Sequence, residues 1–97
     1  SEMINPMKKL SIIIPHYNSV NSLQKLINSI PEKGEIQVIV VDDKSDQHPR
    51  DSLSEASLKR IKLLDNKSSS VGAGACRNIG LEHANGNWVL FADAAYP

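Results

Sequence analysis

The sequence is short of several things, and each shortage excludes something. Cys76 is its one cysteine in 97 residues, so no disulfide can form within the chain, and a reducing, cytoplasmic setting is the expectation. Aromatic residues make up 4%, too few for the stacking platforms of single-strand nucleic-acid binders. The 11 basic side chains are balanced by 11 acidic ones, so no field of one sign draws in nucleic acid or an anionic membrane. No apolar run approaches the roughly 20 residues of a membrane-spanning helix. Ser1–Pro6 is polar, has no signal-peptide pattern, and reads as a tail ahead of a domain of residues 7–97. A chain of this length holds at most one small domain.

What is present is organised around Gln37–Ser45, QVIVVDDKS. Val38, Ile39, Val40 and Val41 form an unbroken β-branched run, the pattern of a strand buried on both faces. It stops abruptly at Asp42 and Asp43. Packing alone does not call for two carboxylates there, and in open α/β sheets ligands sit beyond the carboxyl ends of the strands.

The rest of the chain fits around that strand. Leu10–Pro15 is a second apolar run, expected to end at Pro15, which cannot donate a ladder hydrogen bond. His16, Tyr17 and Asn18 then make a loop. Val20, Leu23, Leu26, Ile27 and Ile30 recur at helical spacing, with Asn18 or Ser19 as N-cap and Pro31 and Gly34 as the stop. Ser52–Glu55 has capping-box spacing ahead of a short helix to about Lys59. Ile61, Leu63 and Leu64 suggest a less apolar strand nearer an edge, and Asp65–Ser70 a loop. Gly72–Ala75 opens a helix whose buried face is Cys76, Ile79, Gly80 and His83 or Ala84, with Gly86 as its stop. Trp88–Ala92 is a fourth apolar strand, ending at Asp93. The order βαβαβαβ without a hairpin signal predicts an α/β, Rossmann-like parallel sheet with helices on both faces. Parallel strands point one way, so His16–Asn18, Asp42–Asp46 and Asp93 should share one sheet edge.

Each polar cluster has a plain and a functional reading. Asp42 and Asp43 serve either an Asx turn and a cap or a ligand such as a base or a ribose. Gly72–Arg77 is a poor dinucleotide fingerprint, with Arg77 where a third glycine belongs, and it lacks the Lys-Ser/Thr of a P-loop. It reads either as close helix–sheet packing or as a helix N-terminus with an arginine suited to a pyrophosphate. Cys76 reads as a small core residue. His16 and His83 complete no metal cluster with it, and His48 needs no role. Tyr17 is either a packed loop aromatic or a base-stacking one.

Leu10–Asn18 (LSIIIPHYN), Ile36–Ser45 (IQVIVVDDKS), Gly72–Gly80 (GAGACRNIG) and Gly86–Asp93 (GNWVLFAD) together resemble, in order and spacing, the family 2 glycosyltransferases. The resemblance implies the N-terminal, nucleotide-binding half of a GT-A fold and inverting sugar transfer from a nucleotide-diphosphate sugar, with uridine as the expected nucleoside. It implies that Pro15 and Tyr17 line the base, that Asp43 accepts a hydrogen bond from it, and that Arg77 with Asn78 lies at the nucleotide's polar edge. Asp93 matches the first carboxylate of the family's Asp-X-Asp motif, near the ribose and a Mg or Mn ion.

Two departures follow from the same comparison of motifs. Ala95 stands where the principal metal-binding carboxylate belongs, and a methyl group offers no oxygen to a hard cation. The acceptor-binding half, with the base that deprotonates the acceptor hydroxyl, would lie beyond Pro97. The isolated chain is therefore expected to bind without transferring sugar. Two other readings stay open: a non-catalytic nucleotide-binding or interaction module, and a phospho-receiver domain, although there the acidic pair should end the first strand. Self-association is also left open.

Overall fold

The computed structural model describes residues 8–93. The domain boundary at Met7 and the substitution at Ala95 lie outside the described residues. The chain runs β1 (Leu10–His16), α1 (Val20–Ser29), β2 (Ile36–Asp42), a 3-10 turn (Pro49–Asp51), α2 (Glu55–Arg60), β3 (Ile61–Asp65), α3 (Ala73–His83) and β4 (Trp88–Phe91). The four strands pair in parallel in the order β3-β2-β1-β4. This is the α/β, Rossmann-like arrangement that the strand–helix alternation predicts.

The pleat of β1 and β2 divides the core in two, because successive side chains point to opposite faces. Ile12, Ile14, Val38 and Val40 pack with Leu23, Ile27 and Ile30 at α1 and with Leu53. Ile13, Ile39 and Val41 pack with Cys76 of α3 on the other face. Each fully buried Leu, Ile or Val contributes about 1.5–3 kcal/mol, so the two runs that stand out in the sequence also carry most of the stability. The helical stripe is as expected, with Leu23 and Ile27 fully buried.

Four local expectations are corrected. First, β1 passes through Pro15, which pairs with Val41, and ends at His16. Ile13 O accepts from Ala92 N on the β4 side, and His16 O accepts from Asp43 N on the β2 side. By alternation, Pro15 turns its missing N–H toward the β4 side, where pairing has already stopped at Ile13 and Phe91, so no ladder bond is lost. Second, the cap of α2 is Ser54, whose Oγ accepts from Ser57 N at 3.1 Å, because Pro49 nucleates a 3-10 turn that consumes Ser52. Third, α3 ends at His83 with Ala84 as its C-cap, so Gly86 does stand two residues beyond the cap, but it is not the left-handed glycine that closes a helix. Gly86 instead lies against β1, where a Cβ would sit 2.6 Å from Ser11 N. Its N–H donates to Ser11 Oγ at 2.9 Å, and this docks the turn into β4. Fourth, α1 has Ser19 as N-cap but no side-chain capping bond, and His16 takes over that task.

Both β3 and β4 are edge strands. All four residues of β4 are exposed, with Trp88 at 75%. No helix among the described residues is long and apolar enough to cross a membrane.

Candidate functional site

The register aligns His16, Asp42 and Asp65 across the carboxyl ends of β1, β2 and β3. His16 is buried, and its Nδ1 lies 2.8 Å from Asp42 Oδ1 while its Nε2 accepts from Ser19 N at 3.0 Å. These partners assign the proton to Nδ1. Asp42 also accepts from Ser45 N at 3.0 Å and from Ser45 Oγ at 2.6 Å. Burial works against its ionisation, but the hydrogen bonds from His16 and Ser45 outweigh it and hold the carboxyl below the usual aspartate value. Of the two neighbouring carboxylates, Asp42 is thus the structural one.

The two loops beyond β1 and β2 are stitched together. Asn18 N donates to Ser45 Oγ at 2.9 Å, Asn18 Nδ2 to Asp46 Oδ2 at 3.2 Å, and Asp46 N back to Asn18 Oδ1 at 2.8 Å. These bonds hold Asn18 (φ 47°) and Lys44 (φ 62°) in the left-handed region, which side chains other than glycine adopt at some cost. The reversal at Lys44 carries the chain away from Asp43.

Asp43 is 8% exposed. Its Oδ1 accepts from Asn66 Nδ2 at 2.9 Å and its Oδ2 from Gly72 N at 2.8 Å. The Cys76 thiol is a third partner. Burial, the charges of Asp43 and Asp42, and its hydrogen bond to Asp43 push its pKa up to about 12, so Cys76 remains a thiol and a core residue. Gly72, at φ 103°, is the backbone position where a side chain would be strained. In front of Asp43 lies a cleft of about 460 Å³ lined by Tyr17, Asp43, Lys44, Val71 and Gly72. A separate hollow of about 260 Å³, beside Glu32, Lys33 and Arg60, sits at the start of β2, away from the strand ends where the polar groups converge.

Arg77 and Asp93 meet at the far side of α3. Arg77 Nη2 lies 3.3 Å from both carboxylate oxygens of Asp93, and its guanidinium stands 5.6 Å from the Phe91 ring centroid. Arg77 Nε is buried without a hydrogen-bond partner among the described residues. As a holder of Mg or Mn, Asp93 is a single carboxylate already claimed by a cation. Such ions take about six oxygen ligands, so the described residues at this strand end do not make a metal site on their own.

Asp42, His48 and Asp65 also approach one another, with one ligand atom of each within 4.8 Å of the others. His48 has a structural role that its loop position hides. Its Nδ1 accepts from Arg50 N at 3.1 Å and caps the 3-10 turn, while Nε2 meets Asp65 Oδ1 at 2.5 Å. This pattern puts the proton on Nε2, the atom a metal would need bare.

The family model described as glycosyl transferase family 2 matches residues 11–94. The chain belongs to that family. It is 36% identical over 93 residues to the poly(ribitol-phosphate) beta-N-acetylglucosaminyltransferase TarS of Staphylococcus aureus, covering 91% of this chain and 16% of that protein. It is likewise 36% identical over 87 residues to an Escherichia coli UDP-Glc:alpha-D-GlcNAc-diphosphoundecaprenol beta-1,3-glucosyltransferase, WfgD, covering 88% of this chain and 34% of that one. The crystal structure of S. aureus TarS 1-349 in complex with UDP superposes with a TM-score of 0.71 at 34% identity, over 89% of this chain and 27% of that one. A Mycobacterium tuberculosis glucosyl-3-phosphoglycerate synthase, solved with Mn2+, UDP and glucosyl-3-phosphoglycerate, shares the fold at a TM-score of 0.74 and 21% identity. The fold is therefore GT-A, and this family 2 chain spans between a sixth and a third of these curated relatives.

Of the residues singled out in the sequence, Tyr17 and Asp43 come together at the cleft. Arg77 and Asp93 come together with each other, outside its lining. Pro15 is buried in β1. Sequence reasoning placed His16 in a polar loop at this edge without seeing its bond to Asp42, and passed over Asn66; both are buried polar residues at strand ends. The available signal was their place directly at the carboxyl ends of β1 and β3, on the edge where the other polar clusters converge.

Proposed function

We propose that this family 2 chain is the nucleotide-sugar-binding part of an inverting glycosyltransferase, with a uridine-diphosphate sugar as donor, in the cytoplasm. The observation that carries the reading is the cleft at the carboxyl edge, where Tyr17 and a held carboxylate, Asp43, face the same space. Tyr17 offers an aromatic face to the base. Asp43 accepts from the base N–H, an arrangement suited to uracil. Pro15 shapes the base loop from beneath. Arg77 attends the nucleotide's polar edge, and Asp93 the ribose and any metal that the diphosphate brings. The UDP-bound TarS structure supports this placement through its similarity to the chain.

Transfer itself is an attack of an acceptor hydroxyl on the anomeric carbon, with the nucleotide diphosphate leaving. In this proposal the present residues hold the leaving group, and the isolated 97-residue chain binds without turning over. A binding-only module is the second reading. The engagement of Asp93 by Arg77 and the alanine at position 95 both favour it.

The test is calorimetric titration of the chain with uridine diphosphate. Asp43→Ala removes a charge-assisted hydrogen bond worth about 1.5–3 kcal/mol, so affinity should fall about tenfold or more with the circular dichroism spectrum retained. No binding by the unmodified chain, or undiminished binding by a folded Asp43→Ala, would overturn the site.

A further inference from the structure

We propose that Asn66 is a positioning residue of the nucleotide cleft, acting through Asp43. The inference rests on the nucleotide-binding reading above. Asn66 is 2% exposed, and every hydrogen-bonding position of its amide is used. Nδ2 donates to Asp43 Oδ1 at 2.9 Å and to Ser70 O at 2.8 Å. Oδ1 accepts from Ser68 N at 3.0 Å and from Ser68 Oγ at 2.6 Å. Its own backbone N–H donates to Asp42 O at 2.8 Å. The opposite amide orientation would set oxygen against a carboxylate and a carbonyl, so the partners determine the assignment.

The consequence for the cleft is geometric. Asn66 and Gly72 take one oxygen each of Asp43, and this fixes the carboxylate plane before any ligand arrives. Each oxygen keeps lone-pair capacity for a base N–H. The same amide folds residues 66–70 back on themselves, and Lys44 Nζ closes that fold on Ser68 O at 2.6 Å. Val71 and Gly72, which line the cleft, follow directly. Asn66 itself is absent from the lining, so its influence on a nucleotide passes through Asp43. A held acceptor favours a base edge that presents an N–H, as uracil does, over one that presents a bare ring nitrogen, as cytosine does.

A double-mutant cycle separates positioning from general loop support. Uridine diphosphate is titrated into the chain and into Asn66→Ala, Asp43→Ala and the double variant. Asn66→Ala should weaken binding about fivefold in the unmodified background, the worth of one hydrogen bond, and less than about twofold where Asp43 is already alanine. An equal loss in both backgrounds would overturn the inference. Unchanged affinity in Asp43→Ala alone would overturn the site reading, and this inference with it.

Asn66→Asp keeps the shape should Asn66→Ala fail to fold. Two carboxylates in contact share a proton. At pH 5.5 the shared proton replaces the amide's bond to Asp43, though not the one to Ser70 O, and affinity should come nearest to that of the unmodified chain. By pH 8 both carboxylates repel and affinity should fall several-fold relative to the unmodified chain at the same pH. The titratable groups around Asp43, namely its chain neighbours Asp42 and Lys44, Tyr17 across the cleft and the Cys76 thiol, are the same in both chains, as is the nucleotide, so the ratio isolates residue 66. A flat ratio across this range would overturn the proposal.

Discussion

Asp43 follows the last residue of β2 and Asp93 lies two residues beyond the end of β4, at the same sheet edge, yet they live in opposite surroundings. Asp43 is 8% exposed and held by Asn66, Gly72 and Cys76. The Asp93 side chain is 56% exposed and meets one guanidinium at 3.3 Å. The difference follows from the neighbours. β2 lies between β1 and β3, so loops from both sides fold over its end, whereas β4 is an edge strand with a neighbour on one side. One half of the candidate site is thus set before a ligand arrives, which lowers the ordering cost of binding. The other half can exchange a protein partner for a ligand at little expense, because an exposed ion pair is worth about 0–1 kcal/mol.

The largest test of this contrast compares stability on the two sides. Asp42→Ala strips the acceptor from His16 Nδ1, Ser45 N and Ser45 Oγ, and should cost about 1–3 kcal/mol for each donor left buried and unpaired, read in urea denaturation. Asp93→Ala should cost less than about 1 kcal/mol. Equal costs would break the comparison.

Next in size, Arg77→Ala should leave the melting temperature nearly unchanged but weaken uridine diphosphate about tenfold by calorimetry. A change in stability without a change in affinity would make the Arg77–Asp93 pair purely structural. Acid sensitivity sharpens the other half. The folded pKa of Asp42 lies below the ordinary value of 3.8, so its contribution is present above that pH and is lost as pH falls through the folded value. Asp42→Asn should flatten the fall in urea midpoint below about pH 4, and an unchanged slope would assign acid lability to other groups.

The smallest effect concerns manganese. With one carboxylate at Asp93, manganese should raise uridine diphosphate affinity by no more than about threefold. Ala95→Asp should increase that gain. Strong manganese dependence in the unmodified chain would mean that other ligands hold the ion.

The sheet was legible because Ile12–Ile14 and Val38–Val41 are buried on both faces and cannot be written in polar residues. The order of the elements followed from it, and so did the shared edge. Pro15 misled because its cost depends on which side its nitrogen faces, and that is set by how far β4 extends. Ser52 lost its cap to the turn that Pro49 begins, although Ser54 and Ser57 carry an equally local signal. Gly86 had a stop's position but a packing reason, set by Ser11 far away in the chain. The site was half legible. Asp43 stands at the end of the strongest strand pattern. Asn66 sits in a run of polar residues where nothing local separates a buried hub from a solvated loop, since its partners are at Asp42 and Asp43.

The strand order also governs the order of events as the chain is made. β1 emerges first and ends in the middle of the sheet, with β2 on one side and β4 on the other. Leu10 can find Ile36 early, but its second partner, Trp88, is near the opposite end of the described chain. Until β4 leaves the ribosome, one edge of this apolar strand has no neighbour. Pairings this distant in sequence close slowly, and an apolar strand left open in the meantime is an invitation to aggregation. The nascent chain therefore depends on β4 arriving promptly, and a pause in translation between β3 and β4 would lengthen the interval in which Ile12–Ile14 is open along that edge.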